Sequence, residues 1–195
     1  MPMDALLGIF GAFGLSASAG LNAYIPLLVI GVIAHYTPWI KLTPHFDLLA
    51  YPLILILLGI LLIIEMLADK LPAVNHLNDL IQTGIRPLAG AIAFAASAHV
   101  ITNINPLLAL ACGLLVAGSI HTVKAVAVRP AVTATTAGVG NVPISLLEDV
   151  TATIVSVASV VLPVLGVILL VILILGIVWF FHRRAARRKR AASKA

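Results

Sequence analysis

Four stretches of this 195-residue chain carry no Asp, Glu, Lys or Arg: residues 5–40, 48–64, 87–123 and 150–181. A helix that crosses the hydrocarbon core of a bilayer needs about 20 predominantly apolar residues, so these stretches dictate the solvent in which the chain folds. Hydrophobic residues make up 62% of the sequence and charged residues 10%, whereas a water-soluble domain is about a quarter charged. So little polar surface cannot cover a core against water, and most of the chain must face lipid. The length suits one compact helical bundle.

The stretches divide further at turn residues. Asn103-Ile104-Asn105-Pro106 splits the third into spans near 87–102 and 106–123, and Pro163 splits the last. Residues from Pro143 onward then supply spans of about 144–161 and 163–181, and residues 50–67 form another. Residues 5–36 exceed one straight span and are interrupted by Ser16-Ala-Ser18-Ala-Gly20-Leu-Asn22-Ala-Tyr24-Ile-Pro26. Pro26 lacks a backbone donor and Gly20 loosens a helix. This segment reads as one long kinked helix or as two half-helices meeting inside the membrane. The expectation is an all-α polytopic transmembrane bundle of about six spans, with about seven as the alternative, in a single domain over residues 1–182. Weak internal echoes, Ser18–Pro26 with Thr136–Pro143 and Ile85-Arg86-Pro87 with Val128-Arg129-Pro130, allow an inverted repeat with halves 1–103 and 104–182.

The net charge of +5 comes from the end of the chain: seven of the twelve basic residues lie in Arg183–Lys194. A basic cluster directly after a hydrophobic helix is a topology anchor for anionic headgroups, so residues 183–195 are expected to be a disordered cytoplasmic tail that meets membrane lipids and no nucleic acid. With six spans and this tail inside, the segments near 68–86 and 124–142 also fall inside, as does the N-terminus. They hold Lys70, Arg86, Lys124 and Arg129, against Lys41 on the other side, as the positive-inside rule requires. No signal peptide precedes the first apolar run. The single cysteine, Cys112, reads as a packing residue.

Three polar constellations need an explanation, because an ionisable residue inside a span is expensive and by default functional. In Glu65-Met-Leu-Ala-Asp69-Lys70…Asn78-Asp79, Glu65 and Asp69 are four apart and share a helix face, as a cation-binding or proton-exchanging pair would. Lys70 and His76 are candidate partners. In His121-Thr-Val-Lys124…Arg129-Pro130, followed by Thr- and Gly-rich residues to Asn141-Val-Pro143, two basic groups precede an uncharged segment. That composition suits a re-entrant stretch lining a cavity, or else an interfacial loop. In Ser145-Leu-Leu-Glu148-Asp149, Ser145 and Glu148 match a capping box, which accounts for one carboxylate and leaves the other to pair with Lys124, Arg129 or Arg86. All these charges fall on one side, so a polar cluster at the cytoplasmic end of the bundle is expected, with Asn22, Tyr24 and His99 reaching it from deeper positions.

The same segments resemble a family of bacterial multi-pass membrane proteins known as domain of unknown function 4126. The similar elements are Ala19-Gly20-Leu-Asn22…Pro26, Glu65…Ala68-Asp69-Lys70-Leu-Pro72 with Asn78-Asp79, Arg86-Pro87-Leu-Ala-Gly90, His121…Lys124…Arg129, and Gly140-Asn141-Val-Pro143…Ser145-Leu-Leu-Glu148-Asp149. The resemblance covers nearly the whole chain except the tail. It implies a bacterial inner-membrane protein and supplies no reaction.

The leading functional expectation is a transporter or channel for a small ion or solute, without a cofactor, whose site is Asn22, Glu65, Asp69, Lys70, Asp79, Arg86, His121, Lys124, Arg129, Asn141, Glu148 and Asp149. Cations or protons through Glu65 and Asp69, or a lipid phosphate or other anion on Arg86, Lys124 and Arg129, are the two cargoes considered. The alternatives are a structural or assembly subunit held by that cluster, and a membrane-embedded lipid enzyme with carboxylates around Mg²⁺. The chain lacks H-E-x-x-H and G-x-S-x-G. Gly8, Gly11, Gly14 and Ala89-Gly90-Ala91 are close-packing positions within one bundle or between copies of a homo-oligomer.

Overall fold

The computed structural model describes residues 2–42, 44–70, 72–97 and 104–163, together with 168, 171–172, 174–176, 179 and 183; the side chains of 2–6, 44, 72–77 and 79 fall outside that description. The described chain is helical: α1 (Pro2–Leu21), α2 (Tyr24–Tyr36), a short 3-10 helix (Pro44–Ala50), α3 (Pro52–Ala68), α4 (Pro72–Ser97), α5 (Pro106–Val123), a π-helical segment (Lys124–Val128), α6 (Arg129–Thr136) and α7 (Asn141–Val161). Two helical stretches, Pro106–Thr136 and Asn141–Val161, are long and apolar enough to cross a membrane; Leu7–Leu21, Tyr24–Tyr36 and Pro52–Ala68 are apolar but shorter.

Several boundaries follow from local chemistry. Asn105 caps α5 by accepting from the Leu107 amide, with Pro106 in the first turn where a missing donor costs nothing. The first apolar stretch is two helices and not one kinked one. Asn22 breaks it, its Oδ1 accepting from the amides of Tyr24 and Ile25 and so satisfying the start of α2. Pro26 then sits harmlessly in the first turn of α2. Leu162 ends α7 immediately before Pro163.

Two expectations about connections are corrected. Residues 72–86 are not an interhelical segment but the first half of α4, which runs through Pro87 and places Arg86 in mid-helix. Residues 124–136 are helical and not a loop. They continue α5 through one π-helical segment into α6, which ends in a left-handed residue, Ala137 at φ 49°.

The helices alternate in direction. At what we call the far end, one cavity is lined by Gly11 of α1, Lys41 beyond α2, Ser97 at the end of α4 and Ser159 near the end of α7. At the opposite, charged end, the Leu21 carbonyl that closes α1 accepts from Lys124, and Asn22 meets Asp149. Helix α1 therefore runs from the far end to the charged end and α2 returns. The centre is built for close approach. A Cβ on Gly90 would collide with Ala117, one on Gly113 with the Gly90 carbonyl, and one on Gly11 would stand 2.9 Å from the Ser159 carbonyl. Phe13 and Phe94 meet edge to face at 5.1 Å. Outside, polarity is inverted relative to a soluble protein: Leu53, Ile56, Ile60, Ile63 and Ile64 of α3 are exposed, and its buried residues are Leu58 and Glu65.

Candidate functional site

At the charged end, Glu65, Asp69, Arg86, His121, Lys124, Arg129 and Asp149 are all buried. Helix α3 contributes Glu65 from its last turn and Asp69 at its C-cap. Arg86 of α4, with no exposed surface, donates Nη2–H to Glu65 Oε1 at 2.8 Å and Nε–H to the same oxygen at 3.2 Å. Its Nη1 lies 3.4 Å from His121 Nδ1. A guanidinium only donates, so Nδ1 accepts and the His121 proton is on Nε2, facing Thr83 Oγ1 at 3.2 Å.

Asp69 is the hub. Its Oδ2 accepts from Arg129 at 2.8 Å and from the Ser145 hydroxyl at 3.2 Å, and lies 3.7 Å from Arg86; its Oδ1 accepts from the Asn78 amide at 2.7 Å. Burial alone would push this carboxyl, which sits just beyond the end of α3, upward; Arg129, Lys124 and Arg86 outweigh that and hold it below the ordinary carboxylate range. Lys124, the first residue of the π-helical segment, pairs with Glu148 of α7 at 2.7 Å and donates to the Leu21 carbonyl at 3.0 Å. A cation at that carbonyl also meets the negative end of the α1 dipole. Arg129 reaches Glu148 at 3.6 Å. The π-helical turn therefore sets Lys124 and Arg129 on the same acidic partners, consistent with such bulges marking functional sites.

Asp149 differs from the other three acids. Its Oδ1 accepts from the Asn22 amide at 2.9 Å, its Oδ2 has no partner among the described residues, and no cation lies within ion-pair distance of it there. Glu65 Oε2 is likewise without a partner among them. Within the described network, four carboxylates thus face three paired cations, Arg86, Lys124 and Arg129. A cavity of about 500 Å³ opens beside the cluster, lined by Asp69, Lys70, Thr133, Gly138 and Asn141.

Of the twelve sequence-derived positions, Asn22, Glu65, Asp69, Arg86, His121, Lys124, Arg129, Glu148 and Asp149 converge. Lys70 and Asn141 make no hydrogen bond or ion pair with the network among the described residues, though Lys70 is a charged neighbour of Asp149. They line its cavity, and Asn141 exchanges hydrogen bonds with Thr133. The Asp79 side chain and His99 lie outside the described residues. The capping-box reading of Ser145 and Glu148 is overturned. Helix α7 begins at Asn141, so both are interior, one bonding Asp69 and the other Lys124. Sequence reasoning missed the buried hydroxyls of Ser16, Ser18, Ser156 and Ser159. On α7 the signal was there, since Ser145, Asp149, Ala152, Ser156 and Ser159 recur at helical spacing. Among the described residues, no three His, Cys, Asp or Glu side chains converge as metal ligands.

Apolar outside and ionic within, the chain is an all-helical protein organised around a buried charge network. It belongs to the family described as domain of unknown function (DUF4126), whose model matches residues 9–183. No curated protein and no solved structure matches it.

Proposed function

We propose that this protein is a polytopic membrane transporter or channel for a small ion, with the buried charge network as its site and Asp149 as the carboxylate that takes up the ion. The observation that carries this reading is the imbalance inside the network: Arg86, Lys124 and Arg129 are committed to Glu65, Asp69 and Glu148, while Asp149 has an oxygen free of partners among the described residues. A buried carboxylate is costly unless something compensates it, and a proton or small cation would do so. The excess of acid favours a cation over a phosphate or other anion.

In the membrane, α1 and α2 count as separate passages because α2 returns to the far end. With the chain after α7 leading from Pro163 at the far end to Ile174 beside Lys124 and Glu148, the chain makes about seven passages. The tail then lies on the charged side, which the positive-inside rule assigns to the cytoplasm of a bacterial inner membrane, and the N-terminus lies outside. Arg183 stacked on Trp179 at 4.2 Å suits an anchor at that interface.

The full pairing of the three cations also favours a second reading, in which the network only locks helices together. Purified protein in proteoliposomes, loaded with dyes for protons, Na⁺ and K⁺, separates the two. Movement of one of these ions supports transport. Vesicles as tight as protein-free controls to all three would leave the structural reading in place.

A further inference from the structure

The seam between α1 and α7 joins the charged end to the far cavity by a line of buried polar side chains: Asn22 with Asp149, then Ser18 with Ser156 at 2.7 Å, then Ser159, which lines the far cavity. We propose that this seam is a proton route, so that the ion taken up by Asp149 is a proton entering from the far side. The inference rests on the transport reading above and narrows its cargo.

Close packing sets what can pass. With Gly11 against the Ser159 carbonyl and Ser18 hydrogen-bonded to the Ala152 carbonyl at 2.8 Å, the helices leave no room for a hydrated ion. A proton needs only groups that both give and accept one. The Ser18–Ser156 pair has that property in a reversible form. Ser18 donates to Ala152 O, so Ser156 must donate to Ser18. Yet Ala152 O is also the carbonyl four residues before Ser156, the acceptor to which a helical serine bonds back. Reversal would take a swing of the Ser156 side chain onto Ala152 O, a bond it does not make in this arrangement, while Ser18 turns to donate to Ser156 and the polarity of the pair inverts. A relay must reset in this way after each proton.

The gaps on either side of the pair, Ser156 to Ser159 and Ser18 to the Asp149 carboxylate that Asn22 orients, are each about one helical turn, about 5–6 Å between Cβ atoms. A water would bridge each, with Asn22 carrying no proton itself. Two of the buried atoms without hydrogen-bond partners among the described residues lie where such waters would sit: Ser159 Oγ, in a residue 1% exposed, and Asp149 Oδ2. In transit each hydroxyl passes on one proton and receives another. The net change is one proton lost from water in the far cavity and one gained by the Asp149 carboxylate, whose charged neighbours are Asp69, Lys124 and Lys70.

The test is proton uptake into proteoliposomes holding a pH dye, driven by a valinomycin-clamped K⁺ potential. Ser159→Ala is the decisive variant, because its hydroxyl bonds nothing among the described residues and its loss cannot weaken the fold by breaking a hydrogen bond there. We expect at least a tenfold fall in proton flux for Ser159→Ala and Ser156→Ala, near wild-type flux for Ser156→Thr, and slower flux in D₂O. If both alanine variants conduct like wild type while Asp149→Asn is silent, the route is wrong and the transport reading survives. Wild-type protein that moves Na⁺ or K⁺ but no protons overturns the route in the same way. Protein that moves no ion overturns both.

Discussion

Arg86 is the residue on which the charged end depends, since its Nη2 faces both Glu65 and Asp69 and its Nη1 faces His121. Removing one partner of a buried ion pair strands the other, at about 3–5 kcal/mol. Arg86→Met should therefore lower stability in detergent by that order, read by thermal or denaturant unfolding. The double variant Glu65→Leu/Arg86→Met should recover much of the loss, because neither charge is then left alone. A double variant as unstable as the single one would show that Arg86 acts through Asp69 instead. The charged residues themselves are legible in the sequence, since an acid in an apolar run stands out. Their pairing is not. Arg129 lies 60 residues from Asp69 and Asn22 lies 127 from Asp149, separations that no local pattern encodes. The serines are quieter for the opposite reason: a hydroxyl among alanines disturbs neither hydropathy nor charge, and on α7 only the helical spacing of Ser145, Ser156 and Ser159 marks them.

At the scale of elements, helix boundaries are readable where a residue must break a helix and misleading where it only can. Asn22, Asn105-Pro106 and Pro163 interrupt helices by capping or by withholding a donor. Pro87 carries the same signal in the sequence, yet α4 runs through it, as a helix braced by its neighbours allows. Two glycines of that helix give a controlled test. A Cβ at Gly84 meets nothing within 4 Å, whereas one at Gly90 collides with Ala117. Gly84→Ala should gain up to about 1 kcal/mol from helix propensity, and Gly90→Ala should lose about 1–3 kcal/mol by forcing α4 from α5. Equal effects would contradict the close packing. The π-helical segment is invisible in the sequence, because one surplus residue leaves no compositional trace. The π turn sets Arg129, five residues after Lys124, about where the fourth residue would lie in an α-helix. Deleting Ala127 should therefore keep the two on one face and cost less melting temperature than Arg129→Ala; a fall as large as that of Arg129→Ala would show that the π turn places Arg129 in another way.

For the whole molecule, the membrane reading proposed above takes its lipid-facing character from composition and its orientation from the tail. The number of passages is not legible in that way, because residues 5–36 fit one kinked helix or two half-helices equally well by hydropathy. Only the return of Lys41 to the cavity beside Gly11 distinguishes them. Single cysteines at Pro38 and Gly138, in a Cys112→Ala background, should differ in access to a membrane-impermeant maleimide, Pro38→Cys labelling in intact cells and Gly138→Cys only after permeabilisation. Labelling of both from one face would contradict the arrangement.

The central claim is that Asp149 is a working carboxylate and not a fastening. Ion flux through proteoliposomes containing wild type or Asp149→Asn, with melting temperatures measured on the same preparations, tests it most directly. The amide can keep the hydrogen bond to Asn22 but cannot take up an ion. The account predicts that flux is lost in Asp149→Asn while the melting temperature is held or raised; undiminished flux from a folded Asp149→Asn protein would contradict it.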